Sequence, residues 1–199
     1  MDLLSAYFAE IAAHWPVWFV TITLIVAAVI DGYELRVPNW ITFPMIISGW
    51  IYSIAFAQAH HGMPWYEGLG WSLAGTAIGL LTLLPFYMIG GMGAGDVKLM
   101  AGVGAWVYIE HTLWAFAYTA IIGAVLAVLM VMWSGAWRKH YDQFWMILNE
   151  IMAIKDPDQL SEIAAKRKPS MFLLPYGIPI AIGTIAYFIY THQLVTAVG

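Results

Sequence analysis

Between Trp15 and Tyr190 the chain is a succession of apolar runs of bilayer-spanning length, and this feature removes most folds open to 199 residues. A helix needs about 20 apolar residues to cross the hydrocarbon core, where no water satisfies an exposed backbone, so such runs become packed helices. The first run extends from Trp15 to Ile30 and stops at Asp31-Gly32. The second, Trp40 to Ala57, lies between Pro38-Asn39 and the polar stretch that starts at Gln58. A third covers Leu69 to Ile89, with Pro85 as a tolerated kink, and is followed by the glycine-rich turn from Gly90 to Gly95. Val97 to Ile109 forms a short fourth run, Leu113 to Trp133 a fifth, and Met171 to Tyr190 a sixth that is interrupted by Pro175, Gly177 and Pro179. The expectation is an all-α, polytopic membrane protein: one domain over residues 1–199, built as a six-transmembrane-helix bundle. No basic n-region followed by a short apolar core marks a secretory signal peptide.

Composition agrees, at 62% hydrophobic and 10% charged residues, against about 45–50% and about 25% in a soluble domain. A net charge of -4 gives no basic surface for nucleic acid. The absence of cysteine excludes disulfides, thiol nucleophiles and cysteine-ligated zinc. Histidines at 14, 60, 61, 111, 140 and 192 are scattered, and the adjacent pair His60-His61 cannot share one helix face as an i, i+4 pair would, so neither metal nor cofactor is expected. Tryptophans such as Trp15, Trp40, Trp65, Trp71, Trp133 and Trp137 sit near run ends, as interface anchors do.

Charge orients the runs. Every lysine and arginine (Arg36, Lys98, Arg138, Lys139, Lys155, Lys166, Arg167, Lys168) follows the first, third or fifth run. With six crossings, the positive-inside rule makes those segments cytoplasmic and puts both termini outside. The short fourth run is needed for Lys98 and Arg138 to share a side. Residues 134–170 then form a cytoplasmic amphipathic loop, in which Trp137, Tyr141, Phe144, Trp145, Leu148, Ile151 and Met152 recur at helical spacing. That pattern predicts an interfacial helix lying on the inner leaflet.

The acids at the membrane boundary carry the chemistry. Carboxyls in or beside spanning segments are costly, and Asp31 and Asp96 both stand at run ends on the cytoplasmic side. Two carboxyls brought together can share one proton, one acting as base on a water while the other, protonated, polarises a carbonyl. The bland alternative pairs each acid with Arg36 or Lys98 at the headgroups. Gly93 and Gly95 place small residues just before Asp96, permitting a tight turn and close approach of another chain, and Asp96 sits at a helix start whose dipole favours negative charge. A phosphate-cradling loop is excluded, since the glycines lack the G-x-x-x-x-G-K-[ST] pattern and no strand precedes them.

Gly93-Ala94-Gly95-Asp96-Val97-Lys98 resembles the GxGD-x-K signature of the type IV prepilin peptidases, which are intramembrane aspartic peptidases. The segment from Asp31 through Arg36 and Pro38-Asn39 to Thr42 is similar to that family's other block, an acid followed by a short basic loop and a Pro-Asn turn into the next helix. Leu174-Pro175-Tyr176-Gly177 resembles the family's Pro-Tyr-Gly segment. The resemblance implies that Asp31 and Asp96 are the catalytic pair, cleaving the short basic leader of pilin-like precursors at the cytoplasmic face of the bacterial inner membrane. Around them, Gly93, Gly95, Lys98, Arg36, Asn39, Tyr176 and Gly177 are candidates for support or for the substrate groove. Long members carry paired cysteines and an N-methylation activity; with no cysteine here, the resemblance implies the short, peptidase-only form that serves tight-adherence pili. A competing reading is a small proton- or ion-coupled carrier with Asp31 and Asp96 as relay groups, which predicts midplane acids on discontinuous helices. In either case the partners are the bilayer and, for the peptidase, prepilin-like substrates.

Overall fold

A computed structural model describes residues 14–88, 90–135, 141, 145, 146, 149 and 174–194. The described residues are helical with no strands, and their order is α1 (Trp15–Glu34), α2 (Asn39–His61), α3 (Trp65–Met88), α4 (Ala94–Ser134) and α5 (Gly177–Tyr190). The first four are long and apolar enough to cross a membrane, while α5 is a shorter apolar helix. The N-terminal residues 1–13 lie outside the described residues, as do most of 134–170, including most of the predicted interfacial helix.

Local signals set most boundaries. Pro16 opens α1, its missing N–H being one that no helical partner would take. That helix does not stop at Asp31-Gly32 as expected: it runs on to Glu34 and ends at Leu35, whose left-handed φ of 53° closes the last turn with its N–H on the Asp31 carbonyl at 2.9 Å. Asp31 therefore sits inside the last turn of α1. Pro38 in extended conformation starts α2, and Gly62 at φ 64° ends it.

The fourth and fifth runs, expected as separate spans, are two helical arms that meet at a break at Tyr108, with φ 62° and ψ -170°, and α4 denotes both arms together. An unbroken helix would put Asp96 and Gly123 about 40 Å apart at 1.5 Å per residue. Instead both lie at one end: a Cβ built on Gly123 would lie 3.2 Å from the hydroxyl of Tyr176, whose neighbour Gly177 bonds Asp31, and one on Gly95 would meet Val37, six residues after Asp31. The arms on either side of Tyr108 thus run back along each other. The Thr112 hydroxyl takes up the Tyr108 carbonyl that the break releases.

The first arm of α4 is the axis of the bundle, with every residue from 99 to 107 buried. A helix apolar all round belongs inside. In lipid, packing rather than water exclusion holds helices together, so small residues mark the contacts. Gly75 of α3 and Gly104 of α4 meet backbone to backbone, leaving no room for a Cβ on either. At the end of the bundle away from the acids, Trp106 stacks on Tyr52 at 4.9 Å, Trp15 packs edge-on to both, and the Trp106 Nε1–H donates to the Met45 carbonyl. Outward-facing Ile22, Ile51, Leu81, Ile121 and Val128 are exposed, as a surface meant for acyl chains is. Helix α5 lies antiparallel to α1, with Gly177 beside Asp31.

Candidate active site at two buried acids

Asp31 is 2% exposed and Asp96 is 5% exposed, so each carboxyl needs internal hydrogen bonds. Asp31 reaches across to the first turn of α5, where its Oδ2 accepts the Gly177 N–H at 2.7 Å. Asp96 is the third residue of α4, and its Oδ2 accepts the N–H of the capping residue Gly93 at 2.9 Å. Both acids are held by an amide at the start of a helix, a position that suits negative charge. The segments that carry them meet, since Gly177 bonds Asp31 and the backbone of Gly95, next to Asp96, packs on Val37, six residues after Asp31.

The glycines are required by this packing. A Cβ at position 177 would lie 2.9 Å from Asp31 Oδ2 and 3.0 Å from Asp31 Cβ. One at Gly95 would run into the Val37 carbonyl, so the close neighbour at Gly95 is the α1–α2 loop of the chain itself. That contact joins the first-acid segment to the second. A further tie is the Lys98 Nζ, which donates to Asn39 Oδ1 at 2.9 Å while sitting 4.8 Å from the Phe43 ring centroid.

Of the residues singled out in the sequence, Asp31, Asp96, Gly93, Gly95, Lys98, Asn39 and Gly177 belong to this linked group, and Tyr176 directly precedes Gly177. Arg36 stands apart from it: its Nε pairs with Glu34 Oε2 at 3.0 Å, both side chains exposed. Arg36 pairs with Glu34 at the end of α1, and Lys98 bonds Asn39 at the start of α2. Val37 and Gly123 are part of the surroundings that sequence reasoning missed. Beside the site, the α1–α2 loop lines a cleft of about 430 Å³ that includes Ile30, Glu34, Arg36 and Asn39.

Residues 18–128 match the sequence model of the type IV leader peptidase family. A prepilin leader peptidase/N-methyltransferase of Aeromonas salmonicida is 24% identical over 147 residues, covering 66% of this chain and 48% of that protein. The protein of the same name from Bacillus subtilis is 27% identical over 179 residues, 87% of this chain and 54% of the relative. The chain thus spans about half the length of the curated relatives it matches. No solved structure matches it. The matched stretch takes in both acids and the Gly93–Lys98 segment, and over more than half its length the chain belongs to the type IV leader peptidase family.

Proposed function

We propose that the protein is an intramembrane aspartyl endopeptidase that removes the short basic leader of prepilin-like precursors at the cytoplasmic face of the bacterial inner membrane. The observation that carries this reading is two buried carboxyls from distant parts of the chain at one end of the bundle, where Asp31 bonds the start of α5 and the turn bearing Asp96 packs on the α1–α2 loop at Val37. Asp31 and Asp96 share one proton. The ionised carboxyl takes a proton from a water as its oxygen attacks the scissile carbonyl, while the protonated one hydrogen-bonds that carbonyl and stabilises the developing oxyanion. Collapse of the tetrahedral adduct expels the amine, which leaves with a proton from the dyad. Gly177 and Gly93 orient the carboxyls through their N–H groups, and Lys98 with Asn39 keeps the two acid-bearing segments in register. The substrate must be extended at the acids, because a helix keeps its carbonyls in intrachain bonds.

The topology in this reading has six crossings: α1, α2, α3, the two arms of α4, and α5. Arg36 and Lys98 lie at the same end as the acids, which the positive-inside rule makes cytoplasmic, and both termini are then outside. That the acids occupy terminal turns of α1 and α4 supports a peptidase over a carrier, whose relay groups belong at the midplane. Incubating the purified protein with a prepilin precursor and sequencing the new N-terminus tests the proposal. A cut between the basic leader and the apolar segment is expected; an unprocessed precursor would refute it.

A further inference from the structure

The geometry points to the groove between α1 and α5 as the dock for the precursor's apolar helix, an inference that rests on the peptidase reading above. The groove is shallow and open, with a volume of about 470 Å³. Its walls are Ile25 and Val29 of α1 and Ile182 and Ile185 of α5, and between them the small residues Ala28 and Ala181 form the floor. It spans about two helical turns, near 10 Å at 1.5 Å per residue. Ile25, Val29 and Ile182 are exposed, so the open side faces the acyl chains. A small-residue floor under branched apolar walls is a surface on which another membrane helix packs closely.

Continuity with the acids selects the occupant. Gly32 and Ile178 line the inner end of the groove, and they are the residues directly after Asp31 and Gly177, which are bonded at 2.7 Å. On the opposite side of the same α1 turn, Ile30 and Glu34 line the polar cleft of about 430 Å³. Asp31 therefore lies between an apolar groove in the membrane and a polar cleft at its edge. A precursor with a helix in lipid and a charged leader in water has the same two parts in the same order. Seated in the groove and unwound as it leaves it, such a helix delivers its next peptide bonds to Asp31.

The chain has no cysteine, so introduced thiols report without background. In an Asp96→Asn protein, Val29→Cys and Ile182→Cys should each cross-link to cysteines in the precursor's apolar segment, at precursor positions spaced by one helical turn. In the otherwise unaltered protein, Val29→Trp and Ile182→Trp, both on exposed wall positions, should fill the groove and raise KM for the precursor at least tenfold with kcat nearly unchanged. Cross-links that form only on another lipid-facing helix, cross-links that join two copies of this chain instead, or an unaltered KM would each overturn the docking. Cross-linking needs no turnover, so failure of the unaltered protein to cut the precursor overturns the peptidase reading while docking is still decided separately.

Discussion

Gly177 is the residue on which the account of Asp31 depends most sharply, because its N–H is the hydrogen bond to that buried carboxyl and its missing side chain is the space the carboxyl occupies. Gly177→Ala would place a methyl 2.9 Å from Asp31 Oδ2. The start of α5 must then shift, and kcat/KM for precursor cleavage should fall at least tenfold, about 1.4 kcal/mol of transition-state stabilisation. Gly95→Val acts on the other acid. It forces the Val37 loop off the start of α4, and its loss of cleavage should approach that of removing Asp96, while the amount of membrane-inserted protein stays close to normal. Normal kinetics in either variant would show that these glycines serve packing alone. The acids themselves were legible in the sequence because a carboxyl at a membrane boundary is costly and needs a reason. Val37 was not, since an apolar residue whose carbonyl abuts a distant glycine leaves no local signature.

At the level of elements, hydropathy located the helices because lipid allows no other form to an apolar run of this length. It misplaced their ends. Asp31 and Gly32 read as a stop, yet polar residues in a last turn cost little where the chain leaves the membrane, and α1 closes only at the left-handed Leu35. The break between the two arms of α4 falls at Tyr108, near the end of the run expected from Val97 to Ile109, and uses neither glycine nor proline. A non-glycine residue at φ 62° costs of order 1–3 kcal/mol, which the surrounding packing must offset. That packing is tightest where Gly104 meets Gly75. Gly104→Val should therefore eliminate the monodisperse folded protein in detergent, read by size-exclusion chromatography, whereas a variant on the lipid face such as Ile121→Val should elute normally.

For the whole molecule, one end of the bundle carries the acids with Arg36 and Lys98, and the other carries the Trp15–Tyr52–Trp106 cluster and the Tyr108 reversal. Single cysteines at exposed positions of each end test the orientation. Arg36→Cys should react with a membrane-impermeant maleimide only after the inner membrane is opened, and Glu110→Cys should react from outside in intact spheroplasts. The reverse pattern would put the acids on the wrong side for a cytoplasmic leader. Such labelling fixes the frame; the proposed chemistry requires further that two carboxyls from distant segments act as one catalytic unit. The most direct measurement is the mass of a prepilin precursor after incubation with purified protein, compared with Asp31→Asn and Asp96→Asn proteins that insert and fold normally. Loss of the leader mass is expected with the unaltered protein, and an intact precursor with each variant. Substantial leader release by either single variant would contradict it.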